Sequence, residues 1–120
     1  MADVLIKRVY DPPAKADGKR FLVDRLWPRG LRKADAALNG WWKDLAPSPA
    51  LRTWFGHEPE RFDEFKRRYK AELKGNPKLE ETIKSLGAGK ITLLYAAKDA
   101  KINHAIILAE VLRRSTSGRG

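Results

Sequence analysis

Hydrophobic residues along the chain form short runs and helical stripes, and this pattern predicts strands alternating with helices. Two runs, Val4 to Tyr10 and Phe21 to Leu26, have the length and composition of strands. The loop between them, residues 11–18, contains two prolines and an Asp-Gly pair. Because it is shorter than an adjacent parallel crossover normally requires, the two strands are predicted either to pair antiparallel or to lie apart in the sheet.

The middle of the chain predicts helices. A short helix is expected over 33–38, and a second follows over 49–55, with Ser48 as its N-cap, Pro49 in its first turn and Gly56 at its end. The clearest helix covers 59–74. There, large apolar residues recur at helical spacing and are predicted to face the core: Phe62, Phe65, Tyr69 and Leu73.

The last third of the chain predicts a helix, a strand and a helix. Asn76-Pro77 begins a helix that Gly87 ends, and Ile91 to Ala96 is an apolar run typical of a central strand. The helix over 101–113 is apolar around most of its circumference and is expected to pack against that strand. The predicted fold is α/β: a single layered domain over residues 1–114, with a small, mainly parallel or mixed sheet flanked by helices. Residues 115–120 are expected to form a disordered C-terminal tail.

Composition narrows the class of protein. The chain is 42% hydrophobic and 33% charged, without an apolar run of roughly 18 residues, so a globular protein is expected and a membrane span is not. It contains no cysteine, which excludes disulfides, thiolate nucleophiles and cysteine-rich metal sites. Its first residues enter a strand pattern directly and do not resemble a signal peptide, which favours a cytoplasmic location.

The net charge of +10 is large for 120 residues. Such a charge attracts nucleic acid, anionic metabolites or acidic partners, although a solvated basic face has the same composition. The charge alone does not choose between these partners.

Chemistry-bearing residues are concentrated in two segments that follow predicted strands, Val23 to Gly30 and Tyr95 to His104. In open α/β sheets, ligands bind beyond the carboxyl ends of the strands. If the two strands are parallel neighbours, Arg25, Arg29 and Lys98 could surround one anion beside the start of the last helix. Trp27 offers a flat face for stacking.

Asp24, Asp99 and His104 are the candidate proton-transfer residues, and each has a structural alternative. Asp99 also suits a helix N-cap, and Asp24 could pair with an arginine. His104 could act as a general base or could satisfy local hydrogen bonds.

A third group of polar and aromatic residues lies at 48–57. Ser48 and His57 could belong to a hydrolase triad, but no Gly-x-Ser-x-Gly motif surrounds Ser48, so a capping role is predicted. Neither histidine has metal-ligand spacing, and no metal site is expected. The chain contains no Walker or dinucleotide glycine motif, so no cofactor is assigned.

Four segments carry a family resemblance: residues 21–31, the Ala-Pro-Ser at 46–48, residues 51–57, and residues 93–105. Together they resemble the YeaO-like branch of the DUF488 family. The resemblance implies a small α/β protein of bacterial or archaeal cytoplasm, with Asp24-Arg25 and Asn103-His104 at signature positions. It implies no established reaction.

These observations favour a site for an anionic small molecule, phosphorylated, nucleotide-like or carboxylate, in a binding protein or an enzyme. The residues predicted to contact the ligand are Arg25, Trp27, Arg29, Arg52, Trp54, His57, Tyr95, Lys98 and Asn103. The alternative is a nucleic-acid-binding module, with basic residues on phosphates and tryptophans on unpaired bases. A third hypothesis is an interaction protein whose charge only keeps it soluble.

Overall fold

A single sheet of four parallel strands organises the part of the chain that the computed structural model describes, residues 2–87 and 89–117. The strands are β1 (Ala2–Arg8), β2 (Lys19–Leu22), β3 (Gly40–Trp41) and β4 (Gly89–Tyr95). Their order in the sheet is β1-β4-β2-β3, and all three neighbouring pairs are parallel. The carboxyl ends of the strands therefore meet at one edge of the sheet.

The position of β4 decides the question that the loop at 11–18 left open. β4 lies between β1 and β2, pairing Arg8 with Tyr95 on one side and Leu22 with Leu94 on the other. The first two strands are thus not neighbours, and the antiparallel alternative is wrong. β4 is buried from Ile91 to Tyr95, which confirms the prediction of a central strand.

Five α-helices lie within the described residues. They are α1 (Lys33–Ala36), α2 (Pro49–Phe55), α3 (Phe62–Lys74), α4 (Pro77–Ser85) and α5 (His104–Ser117). Three 3₁₀ turns accompany them, at Lys15–Asp17, Lys43–Leu45 and Pro59–Arg61. None of the five is long and apolar enough to cross a bilayer.

Several boundaries differ from the sequence prediction. β1 and β2 begin two residues earlier than predicted and end at Arg8 and Leu22, and α1 ends at Ala36 rather than 38. The first turn of the helix predicted over 59–74 is the 3₁₀ turn, and the α-helix begins at Phe62. α5 begins at His104 rather than 101 and continues to Ser117, so residues 115–117 of the predicted tail are helical. Residues 118–120 lie outside the described residues.

The main core lies on one face of the sheet, under α2, α3, α4 and α5. Phe65, Tyr69 and Leu73 of α3 are buried there, and Phe62 is half-buried, which confirms the predicted apolar stripe. The ring of Phe55 in α2 stacks on Phe65 at 4.2 Å between centroids, so α2 is fixed to α3 by aromatic packing.

A smaller cluster covers part of the opposite face, built on Val9, Leu22 and Leu94. Trp27 packs against this cluster, and its indole Nε1 donates a hydrogen bond of 2.8 Å to the carbonyl of Leu31. These contacts hold the loop that follows β2 against the sheet.

Candidate functional site

A cavity of about 480 Å³ opens at the carboxyl edge of the sheet. Its walls come from the segments after β2 and β4, from residues 46–57 around α2, and from the start of α5. The ionisable residues that line it are Asp24, Arg25, Arg52, His57 and His104. The two segments expected at strand ends therefore meet, because β2 and β4 are parallel neighbours.

Asp24 joins the ends of β2 and β4. Its Oδ2 accepts a hydrogen bond of 3.1 Å from the backbone N–H of Ala96, and its Oδ1 lies 3.3 Å from Nε2 of His104. Oδ1 is fully buried and accepts no hydrogen bond within the described residues. Burial raises the pKa of Asp24, although His104, the Ala96 amide and Arg52 act in the opposite direction.

His104 is the first residue of α5 and faces Asp24 across the base of the cavity. Its Nε2 lies 2.9 Å from the carbonyl oxygen of Val23. Because a carbonyl can only accept, Nε2 must carry the proton. Burial lowers the pKa of His104 despite the attraction of the Asp24 carboxylate, so the ring is neutral near pH 7.

The ring of His104 is also fixed by an aromatic contact. Tyr69 meets it edge to face, with 6.2 Å between centroids, while the Tyr69 hydroxyl donates to the carbonyl of Leu45. Tyr69 is fully buried, and this burial raises the pKa of its hydroxyl. The histidine is therefore held from two sides, by a carbonyl and by a ring.

Two arginines make the cavity electropositive. Arg25 donates through Nε and Nη2 to the carbonyls of Ala46 and Pro47, at long distances of 3.3 to 3.4 Å. The Arg52 side chain is exposed and forms no hydrogen bond or ion pair with any described residue. Asp24 is the single carboxylate among the described residues that line the cavity, so cationic groups outnumber anionic ones there.

His57 and Asn103 also line the cavity. His57 has a φ of 59°, an uncommon left-handed backbone conformation that histidine tolerates better than most residues. Both polar atoms of the Asn103 amide are engaged, since Oδ1 accepts from the N–H of Ile106 and Nδ2 donates to the carbonyl of Asp99. Asn103 therefore caps α5.

The other aromatic residues predicted to contact ligand lie elsewhere. Trp27 belongs to the smaller cluster described above. Trp54 carries the guanidinium groups of Arg61 and Arg68 on its ring, at 5.6 and 4.2 Å from the centroid. Tyr95 is 3% exposed in the main core.

Three predicted charged residues also lie outside the cavity lining. Arg29 and Lys98 are exposed. Oδ1 of Asp99 accepts hydrogen bonds from the N–H groups of Lys101 and Ile102, so its carboxylate closes a local turn. Asp99 therefore does not cap α5, which begins at His104 with Asn103 as its cap, and its carboxylate orders the loop before that helix.

Sequence reasoning missed the backbone part of the site. The carbonyl of Val23 sets the tautomer of His104, and the carbonyls of Ala46 and Pro47 hold Arg25. Backbone groups carry no residue-type signal, so no motif could have found them. Thr53, which also lines the cavity, stands in no recognisable motif.

The arrangement can hold an anion beside a neutral imidazole. Arginine guanidinium groups bind phosphate and carboxylate oxygens in a planar fork, and a neutral histidine can accept a hydrogen bond at its unprotonated nitrogen. No group of three or more metal-ligating side chains occurs among the described residues. The fold and cavity define a small α/β protein with an electropositive cleft at the strand ends.

Comparison with known proteins identifies the family. A family model described as the inactive DUF488-N3 subclade matches residues 3–119, and the chain belongs to the DUF488 family, in its YeaO-like branch. This confirms the resemblance seen in the sequence.

Two bacterial relatives cover nearly the whole chain. "Uncharacterized protein Rv3073c" of Mycobacterium tuberculosis (strain ATCC 25618 / H37Rv) is 45% identical over 109 residues, which is 91% of this chain and 92% of that protein. "Uncharacterized protein YeaO" of Escherichia coli (strain K12) is 43% identical over 112 residues, or 92% and 97% of the two chains. No solved structure matches the chain.

Proposed function

We propose that the cavity binds a small anionic molecule through a phosphate or carboxylate group, with Arg52 and Arg25 as its cationic contacts. The observation that carries this proposal is the Arg52 guanidinium, which lines the cavity without a hydrogen bond or ion pair to any described residue. An unpaired arginine in a concave site is well suited to an anionic ligand.

The electrostatics of the cavity support the same proposal. Asp24 is the single carboxyl group among the described residues that line the cavity, and its Oδ2 is already engaged with the Ala96 amide, whereas Arg25 and Arg52 both carry a positive charge. Arg25 has only long hydrogen bonds to carbonyls, which a charged ligand could replace with stronger ones.

Binding rather than turnover is the role we propose. The matching family model is described as inactive, and this description favours a ligand-binding protein over an enzyme. Asp24 and His104 then serve to shape the base of the cavity and to position the ligand.

Matched arginine variants test the proposal. Calorimetric titration with inorganic phosphate, citrate and adenosine monophosphate should show saturable binding of at least one probe. Arg52→Gln should weaken it roughly tenfold to a hundredfold, because a charge-assisted hydrogen bond is lost. Arg29→Gln is the control, since Arg29 is also exposed but lies outside the cavity lining. Absence of saturable binding, or equal losses in the two variants, would contradict the proposal.

A nucleic-acid-binding module remains the second candidate because of the net charge of +10. It predicts that a single-stranded oligonucleotide binds with an affinity that falls steeply with salt. It also predicts that Arg29→Gln and Arg52→Gln weaken oligonucleotide binding to a similar extent, because a dispersed surface would contact the phosphates. Weak binding that does not depend on salt would remove this candidate.

A further inference from the structure

The two nitrogens of His104 have different surroundings. Nε2 donates to the carbonyl of Val23 and lies beside Oδ1 of Asp24, both on the protein side of the ring. Nδ1 receives no hydrogen bond from a described residue, and it is not among the fully buried polar atoms that lack a partner. Since His104 lines the cavity, Nδ1 is the nitrogen available to a ligand.

The protonation of Nε2 makes Nδ1 an acceptor. The Val23 carbonyl fixes the proton on Nε2, which leaves a lone pair on Nδ1 of the neutral ring. The edge contact with Tyr69 and the hydrogen bond from Nε2 to the Val23 carbonyl restrict rotation of the ring. The cavity therefore presents a fixed acceptor in addition to its cationic groups.

Asp24 and Asn103 line the cavity beside His104, and their acceptor atoms are buried or already engaged. Oδ1 of Asp24 is buried, and Oδ2 is engaged with the Ala96 amide. Oδ1 of Asn103 is engaged with the N–H of Ile106. Of these three side chains, His104 is thus the one that offers an open acceptor, Nδ1, to an uncharged hydrogen-bond donor on a ligand.

We propose that the ligand is an anion that also carries a hydroxyl or N–H donor, with its charged group on Arg52 and its donor on Nδ1 of His104. Phosphorylated polyols and hydroxy acids share this chemistry. The inference rests on the proposed anion-binding function and adds the second group that the ligand must have. An analogue without the donor would desolvate Nδ1 and leave it unpaired, so the analogue should bind about tenfold more weakly.

Pairs of probes that differ by hydroxyl groups test this inference. Glycerol 3-phosphate is compared with n-propyl phosphate, and lactate with propionate, by calorimetric titration at about pH 7.5. In each pair the charged group is the same, so the ratio of the two dissociation constants measures the contribution of the donor. The two pairs also distinguish a phosphate from a carboxylate ligand.

Two histidine variants identify the acceptor. In His104→Gln, the side-chain amide can still donate to the Val23 carbonyl, but an acceptor in the position of Nδ1 is lost. In His104→Asn, the amide oxygen can take the position of Nδ1. Circular dichroism confirms that each variant is folded. For each pair of probes, the ratio of the two dissociation constants should fall to about one in the glutamine variant and return toward the wild-type ratio in the asparagine variant.

The outcomes separate the inference from the function on which it rests. If neither member of either pair binds the wild-type protein, and the earlier probes also fail, the proposed anion-binding function is wrong. If both members bind equally well, the function stands and the inference about the donor is wrong. A preference for the hydroxylated probe that persists in His104→Gln also overturns the inference, because a group other than His104 must then accept the hydrogen bond from the hydroxyl. The wild-type comparison remains decisive even if a variant does not fold.

Discussion

Replacement of His104 by glutamine should remove an acid sensitivity from the fold. Burial lowers the pKa of His104 below its ordinary value of 6.5, so the folded protein binds a proton less readily than the unfolded chain. The sign of the effect follows from this difference. The contribution of the neutral His104 ring to the free energy of unfolding is fully present above about pH 6.5. It is lost as the pH falls, because protonation of the histidine then stabilises the unfolded state.

The magnitude follows from the width of the pH interval. At about pH 5.5, one unit below the ordinary histidine value, protonation stabilises the unfolded chain by about 1.4 kcal/mol. Glutamine does not titrate, so between about pH 7.5 and pH 5.5 His104→Gln should lose less stability than the wild type, with about 1.4 kcal/mol as the upper limit of the difference. The charged or titratable groups facing His104 are Asp24, Arg52, His57 and Tyr69.

Asp24 has the opposite effect on the pH dependence of folding stability. Burial raises its pKa, so the folded state binds a proton there more readily than the unfolded chain, and acidification through that range favours folding. Because the two effects have opposite signs and Asp24 is present in both proteins, a larger loss of stability toward acid in the wild type than in His104→Gln identifies the contribution of His104.

Urea unfolding followed by circular dichroism, at several pH values in this interval, measures the difference. His57→Gln is the matched control, because it removes the other histidine, which is exposed at the rim of the cavity. Because His57 is exposed, whereas burial acts on His104, this variant should change the pH dependence less than His104→Gln does. If His104→Gln follows the wild type as closely as His57→Gln does, burial does not penalise the charged form of His104 and the reasoning is refuted.

Four further substitutions test the fold by their urea midpoints. Gly18→Ala should lower the free energy of unfolding by about 3 kcal/mol or more, because φ is 64° and the new Cβ would overlap the carbonyl oxygen of Lys90. Gly56→Ala is the matched comparison, since φ is similar at 54° but the nearest neighbour of its Cβ would be 3.7 Å away. It should lower the free energy of unfolding by about 1 kcal/mol. Equal losses at the two glycines would show that crowding is not the cause. Ser48→Ala should cost about 1 kcal/mol through loss of the α2 cap, and an unchanged midpoint would contradict the capping role. Tyr69→Phe should cost about 2 kcal/mol, because a backbone carbonyl loses its donor, and a smaller loss than for Ser48→Ala would contradict that view.

The elements that the sequence predicts best are those with strong periodicity. The buried run of β4 and the apolar stripe of α3 were both recognisable, because burial of one strand or one helix face leaves a direct pattern in the chain. β3 was not predicted, because a strand of two residues, Gly40–Trp41, has no period to detect. The order of the strands is a property of packing between distant segments, and the loop at 11–18 could only exclude an adjacent parallel connection.

The candidate site was located by its position at strand ends, but its members could not all be chosen from the sequence. Asp24, Arg25, Trp27 and Arg29 lie within six residues of each other, and nothing in that stretch states which side chains face the cavity. The local hydrogen bond from Trp27 to the Leu31 carbonyl decides the matter, because it turns the indole onto the opposite face of the sheet. Such contacts exist only after the loop has folded.

Asp24 and His104 have a structural role in the fold as well as a place in the proposed binding site. Asp24 ties the end of β2 to the backbone after β4, and His104 ties the start of α5 to the Val23 carbonyl, so both contribute to the fold as well as to the site. The Arg52 side chain is exposed and makes no hydrogen bond or ion pair with the described residues, so this side chain contributes to the site alone. Changes at His104 should therefore alter both stability and ligand preference, whereas Arg52→Gln should lower affinity and leave the urea midpoint unchanged. A loss of stability in Arg52→Gln would mean that the arginine has a structural partner, and the main support for an anion site would then be lost.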